Sequence, residues 1–390
     1  MTPPESYPET GHRYTYRSAL VDRLRAAGQV RVGRLRLLMP QSLGFCWGVD
    51  RALAMVQDAR QRFPDRRMWL LNSIIHNPKV NADMREFGIR FLKGKHAAPG
   101  ALEELTDKDV VIVPAFSAMI EEMQFLKERG CEVVDTTCPW VIKPHKRAEK
   151  YVREGYATII HGTVGHDETR STCSLVTHRG GHFLVVHDLG ETDLLCTFLR
   201  GKIDSAELMA GLHPGAASEG FRPADHLDRI GLINQTTMLA SESREIGNRL
   251  KSAMEPRMSE LGGDFLDFDT ICRATQDNQD ATSAMVAESP DLFLVVGGFD
   301  SSNTNNLARV GDAAFVPAYH IDGPTSLGDV LTCRERPSGR LIQVKDWLPK
   351  DGPVTVAFTA GASTPDTVLA DVVQRVLQLA GATPLDDFMV

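Results

Sequence analysis

The chain has 390 residues, 42% of them apolar, enough for two or three domains that each bury a core. A formal net charge of −8 argues against a partner that is nucleic acid or an anionic membrane surface. Seven cysteines, an odd number spread through a long chain, do not make a disulfide framework and fit a reducing cytoplasm with thiols to spare for a metal.

No run of about 18 apolar residues exists, so no membrane span is expected. Residues 1–34 read as a polar arm with a short helix around Tyr16 to Ala27, and Glu5, Glu9 and Asp22 speak against a signal or transit peptide. Strand and helix signals then alternate to Leu379, the pattern of an α/β protein with mostly parallel sheets. Leu35 to Met39 reads as a strand, and Pro40 to Cys46 as the loop before a helix over Gly48 to Phe63. A strand over Met68 to Ile75 ends at His76, and another over Asp109 to Val113 stops at Pro114. A helix over Met119 to Arg129 leads to the strand Glu132 to Asp135.

Thr136 and Thr137 are good capping residues and Pro139 suits a first helical turn, which places Cys138 at a helix N-terminus. There the positive end of the macrodipole favours the thiolate. The pattern restarts with a helix over His145 to Glu154 and a strand over Thr158 to Ile160, followed by the polar loop Gly165 to Thr169. Residues 193–221 carry no sharp motif and look like an insertion or a peripheral helix pair. Gly231 to Asn234 is a strand that ends at Gln235-Thr236-Thr237, before a helix over Ala240 to Met254. Asp291 to Val296 is an apolar strand running into Gly297-Gly298 and Ser301 to Asn306, with a helix covering Leu307 to Gly311. Val354 to Phe358 is the last strand, before Ser363 and a helix over Asp366 to Leu379.

Three cysteines stand at strand-to-helix junctions: Cys46, Cys138 and Cys272, the last in a phrase (Asp269 to Cys272) that echoes Asp135 to Cys138. Their spacing carries no local metal signature, and a buried thiol is the common alternative. Three thiolates on a four-iron cluster leave one iron open, whereas zinc lacks the adjacent Cys or His pair that it favours. His76 and His166 follow apolar segments, where a lone histidine is more often a structural hydrogen-bonder than a ligand. Glu168, two residues past His166, adds a group able to move a proton. The Ser301-Ser302-Asn303 run after two glycines suits a phosphate at a helix N-terminus. Thr236, Thr237 and Ser363 repeat hydroxyls at other strand ends, although each alone is more often a cap.

Taken together these phrases resemble the LytB family of 4-hydroxy-3-methylbut-2-enyl diphosphate reductases. The matching stretches are Gly44 to Ala52, Ile75 to Asn77, Asp135 to Pro139, Gln235 to Thr237, Asp269 to Thr275, Gly297-Gly298 with Ser301 to Asn305, and Thr359 to Ser363. They span Leu35 to Leu379 in one order.

The resemblance implies three α/β lobes in a pseudo-threefold arrangement around a central [4Fe-4S] cluster. The lobes would cover 35–138, 139–264 and 265–350, with 351–390 returning to the first. Cys46, Cys138 and Cys272 would hold the cluster and leave one iron open. His76, His166, Thr237, Ser301, Ser302, Asn303 and Ser363 would bind the diphosphate substrate. Glu168 would deliver protons, with Thr236 orienting it. The products would be isopentenyl and dimethylallyl diphosphates. Ferredoxin or flavodoxin would donate electrons to a cytoplasmic monomer or homodimer. A histidine common in bacterial members is replaced here by Met119, a feature similar to the plant and cyanobacterial branch. A non-redox hydro-lyase and a metal-stapled phosphate sensor remain the alternatives.

Overall fold

The computed structural model describes residues 16–260, 262–336 and 338–385, which form two compact units. One unit comprises the described residues up to Gln57 together with Ser73–Ile89 and Arg273 onward; the other comprises Asp58–Asn72 and Arg90–Cys272.

The first unit is built on a seven-stranded sheet. Its order is Gln29–Val32, Leu35–Leu38, Val354–Ala360, Leu292–Val296, Ala318–Ile321, Val330–Arg334 and Leu341–Lys345. The three pairings across Leu35–Leu38, Val354–Ala360, Leu292–Val296 and Ala318–Ile321 are parallel, and antiparallel strands close both edges. The central strand reads Leu-Phe-Leu-Val-Val because both of its faces are covered. Leu292, Leu294 and Val296 pack with the apolar sides of helices Ala19–Ala27 and Asp366–Leu379. Phe293 and Val295 point the other way, into Met285, Val286, Leu307 and Ala308 of helices Arg273–Val286 and Ser302–Ala313. A residue such as Phe293, with no exposed surface, would cost about 3–5 kcal/mol if cut to alanine.

The second unit carries two four-stranded sheets. One has the order Ile89–Phe91, Met68–Leu70, Val110–Val113, Glu132–Asp135. The other has the order Asp264–Asp267, Arg229–Asn234, Ala157–His161, Phe183–Val186, with every pairing parallel. Trp69, Val111 and Leu126 centre the first core, and Ile159, Leu184, Leu232 and Leu250 the second.

Three separate α/β sheets, mostly parallel, match the fold class read from the sequence. The strand Leu35–Leu38 lies in the seven-stranded sheet and Met68–Leu70 in a four-stranded one. Leu35–Leu38 hydrogen-bonds to Val354–Ala360, so the C-terminal strand rejoins it inside the seven-stranded sheet. The stretch Gln29–Val32, assigned to the arm, is likewise an edge strand of that sheet, and Leu20, Val21 and Leu24 of the helix before it are core residues. Apolar periodicity reveals a strand but not its neighbour.

Two elements differ from expectation for a local reason. Helix Pro139–Arg153 runs through Pro144, which has no N–H to give the Trp140 carbonyl. Helix Ser302–Ala313 begins earlier than its apolar residues suggest, because Ser301 caps it: the Ser301 Oγ accepts from the Thr304 N–H at 3.2 Å.

Candidate active site

In each sheet the strand order reverses once, and parallel sheets bind ligands at such a switch, beyond the carboxyl ends of the strands. In the seven-stranded sheet Leu292–Val296 leads to Ala318–Ile321 on one side and Val354–Ala360 returns on the other. Gly297 to Asn303 and Gly361 to Ser363 therefore leave the sheet side by side. In the last sheet the switch falls between Ala157–His161 and Arg229–Asn234, whose ends lead to His166–Glu168 and Gln235–Thr237.

The first unit gathers six of the expected residues. Cys46 donates its N–H to the Ala362 carbonyl at 3.2 Å, and Gly44 its own to Ala360 at 3.0 Å. Asn303, 3% exposed, accepts the Ala362 N–H on Oδ1 at 2.9 Å and donates from Nδ2 to Thr275 Oγ1 at 3.4 Å. Ser363 Oγ donates to the His76 carbonyl at 3.4 Å. Ser301 is buried, and Ser302 is the first residue of the helix that it caps. The glycines are required by space. A Cβ on Gly298 would lie 2.3 Å from the His76 carbonyl oxygen, and one on Gly297 would lie 2.3 Å from Thr304 Oγ1.

The second unit gathers the other six. Glu168, 1% exposed, accepts on both oxygens from a single residue: the Thr236 N–H reaches Oε1 at 2.6 Å and the Thr236 hydroxyl reaches Oε2 at 2.8 Å. Burial pushes the Glu168 carboxyl up to about 7, and the two Thr236 bonds pull against that rise. His166 caps helix Asp167–His178, which carries Glu168, its Nδ1 accepting the Glu168 N–H at 3.2 Å, which leaves the ring's proton on Nε2. The edge of Phe116 packs against that ring. Gln235, which sequence reasoning gave no role, accepts from Thr163 N–H and Thr169 Oγ1 at 3.0 Å each and donates to Thr237 Oγ1 at 2.8 Å. It fixes the loop that carries Thr236 and Thr237.

The cysteines are suspended in one recurring way. Thr136 N–H donates to the Val113 carbonyl and Cys138 N–H to Ala115, two residues on. Thr270 Oγ1 donates to the Asn234 carbonyl and Cys272 N–H to Thr236, again two residues on. Gly44 and Cys46 stand in the same relation to Ala360 and Ala362. Asp135 and Asp269 brace the two longer phrases, each taking the N–H of the residue two positions later at 2.9 Å. Helices begin immediately after all three, at Trp47, Pro139 and Arg273.

This construction suits thiolate ligands of a cluster. Each Cα is pinned by its neighbours, at a strand end, with the thiol half-buried. Cys196 and Cys333, by contrast, are core residues whose thiols burial pushes up. Among the described residues no three His, Cys, Asp or Glu side chains stand close enough to share a single metal ion. Thiolates that each bind a different iron of a cluster face no such demand. Met119 caps its helix through a bond from its N–H to Glu122, and its Sδ lies 3.5 Å from Arg170 Nη2, a neighbour that no sequence signal indicated. Among the described residues no helix is long and apolar enough to cross a membrane.

A family model described as "LytB protein" matches residues 37–377. The chain is 41% identical over 371 residues to a protein of a Synechococcus species named 4-hydroxy-3-methylbut-2-enyl diphosphate reductase, covering 94% of this chain and 90% of the relative. A Gloeobacter violaceus protein of the same name is 42% identical over 375 residues, covering 94% and 88%. Among solved structures, the E-1-hydroxy-2-methyl-but-2-enyl-4-diphosphate reductase from Plasmodium falciparum superposes with a TM-score of 0.64 at 21% identity, over 86% of each chain. A second, titled (E)-4-hydroxy-3-methyl-but-2-enyl diphosphate reductase, the terminal enzyme of the non-mevalonate pathway, gives 0.52 at 24% identity over 88% and 99%. Both share the fold.

Proposed function

This chain belongs to the LytB protein family, and from that premise we infer that it is a 4-hydroxy-3-methylbut-2-enyl diphosphate reductase. The reaction is a reductive dehydroxylation that yields isopentenyl and dimethylallyl diphosphates. The observation that carries the reading is the buried Glu168–Thr236 pair, with Cys272 hung from the same threonine. The acid is thus bonded to the residue from which a proposed thiolate ligand hangs.

Cys46, Cys138 and Cys272 hold a [4Fe-4S] cluster, which when bound supplies single electrons and one iron that serves as a Lewis acid. Glu168 stays protonated up to about pH 7 because its site excludes water, and it gives that proton to the substrate's allylic hydroxyl so that water leaves. Thr236 holds both carboxyl oxygens in one orientation. His76, His166, Thr237, Ser301, Ser302, Asn303 and Ser363 bind the diphosphate with imidazole, hydroxyl and amide donors and the N-terminus of helix Ser302–Ala313. In a chain with net charge −8, such preorganised dipoles take the place of a basic field. The electrons come from ferredoxin or flavodoxin, in the cytoplasm.

The test is turnover of 4-hydroxy-3-methylbut-2-enyl diphosphate by the anaerobically purified protein, with and without dithionite and methyl viologen. The expected result is both isoprenoid diphosphates with reductant and none without. Equal turnover without reductant would assign a hydro-lyase instead.

A further inference from the structure

Helix Pro139–Arg153 follows Cys138, its N-cap, and carries more basic than acidic side chains. It carries Lys143, Lys146, Arg147, Lys150 and Arg153 against one carboxylate within the helix, Glu149, and a second at its C-cap, Glu154, which lies 3.9 Å from Lys150 and 3.8 Å from Arg153, in a chain of net charge −8. Glu149 itself is occupied by Arg179, at 2.7 Å. The two carboxylates closest in sequence to Cys138 and Cys272, Asp135 and Asp269, turn their Oδ1 atoms onto backbone N–H groups.

The first turns of the helix expose Trp140 (39%) and Ile142 (37%), two of only six large hydrophobics exposed among the described residues. A ladder of cations and rings extends from them. Lys143 Nζ lies 5.4 Å from the Trp140 ring centre and 5.1 Å from that of Phe268, and the Arg147 guanidinium sits 3.6 Å over Phe268. Lys143 also donates to the Asp269 carbonyl at 3.4 Å. The ladder therefore joins the segment after Cys138 to the segment before Cys272. An apolar centre with a charged rim is the anatomy of a protein interface, and tryptophan and arginine are its usual energetic anchors.

We propose that this face is the docking surface for an acidic one-electron carrier protein, with Trp140 and Ile142 at its centre and Lys143, Lys146, Arg147 and Lys150 as its rim. The inference rests on the reductase reading and on Cys138 and Cys272 as ligands. It gives each electron an entry point two residues from Cys138. Per turnover two reduced carriers each lose one electron; with two protons taken up, the substrate's C–O bond breaks, a C–H bond forms and water leaves. Opposite charge speeds the encounter of two such proteins and makes it sensitive to salt. A core of two apolar residues is small, which suits a partner that must leave after each electron.

The test uses the cluster-loaded protein and an acidic plant-type [2Fe-2S] ferredoxin. Kd is measured calorimetrically with the oxidised carrier, and turnover is followed with the reduced carrier and, separately, with reduced methyl viologen. Lys146→Glu and Trp140→Ala together should weaken Kd by about tenfold or more and raise the carrier KM alike, with viologen-driven kcat unchanged. Lys127→Glu, the same charge reversal on helix Ile120–Arg129, should leave Kd within about twofold of wild type. A Kd unchanged in the double variant, or weakened equally by Lys127→Glu, would overturn the assignment. Absence of viologen-driven turnover in the wild type would instead sink the reductase reading, whatever Kd shows.

Discussion

Glu168 gives both of its carboxyl oxygens to Thr236, one to the N–H at 2.6 Å and the other to the hydroxyl at 2.8 Å. Burial raises the carboxyl to about 7 and these two bonds restrain the rise. The carboxyl thus keeps its proton up to about neutrality, which suits the proposed role of proton donor.

Replacing Glu168 with glutamine keeps the shape and removes the proton. The expected loss in kcat is about 10²–10⁴-fold, with iron content unchanged, measured by viologen-driven turnover and iron assay. Wild-type rates in that variant would exclude the role. In the wild type the rate should fall as pH rises through about 7, since the acid form is the competent one.

Thr236→Val removes the hydroxyl bond to Oε2 and leaves the backbone bond in place. A bond to the carboxylate favours its charged form, so its loss should move the alkaline limb of the pH–rate profile to higher pH. An unmoved limb with a lowered rate would make Thr236 a packing residue rather than an orienting one.

Gly298→Ala forces a methyl to within 2.3 Å of the His76 carbonyl oxygen, so one backbone segment must shift. His76 and Ser363 are joined through that same carbonyl. A displacement of about 1 Å in a binding loop costs on the order of 10²-fold in kcat/KM. Steady-state kinetics with varied substrate should show that loss, and an unchanged kcat/KM would separate the Gly297-Gly298 turn from diphosphate binding.

His320 has no exposed surface and holds the same turn, its Nε2 donating to the Gly297 carbonyl at 3.0 Å. Burial lowers its pKa from 6.5 to about 4, so the folded protein keeps it neutral. Its contribution to stability is intact above pH 6.5 and is lost as pH falls from there toward 4. His320→Asn, which retains a donor without a titration, should flatten the fall of Tm across that window. His145, lowered to about 4 by burial, supplies a slope of its own and makes the flattening partial. An identical slope in the variant would contradict the neutral buried state.

Much of this was legible in the chain because the informative residues sit where local rules apply. Cys138 before Pro139 and Ser301 before a polar run are capping signals, and the structure places both at helix starts. Long-range relations were not legible. Nothing in Leu35 to Leu38 announces that its neighbour is Val354–Ala360, because strand pairing depends on partners far along the chain. The role of Gln235 was hidden for the same reason, as its three partners come from Thr163, Thr169 and Thr237. The strands Ala318–Ile321, Val330–Arg334 and Leu341–Lys345 escaped notice; the last two alternate exposed or half-buried with more buried positions rather than forming apolar runs.

We propose that Cys46, Cys138 and Cys272 are the ligands of one cluster and that Glu168 is the acid of the reaction. Iron and sulfide content with electron-resonance spectra, taken on anaerobically purified wild type and on single Cys→Ser variants, tests it most directly. The wild type should hold about four irons and four sulfides per chain, as for a [4Fe-4S] centre, and both should collapse in each of the three variants, while Cys196→Ser keeps them. Iron retained in all three variants, or lost equally from Cys196→Ser, would contradict the proposal.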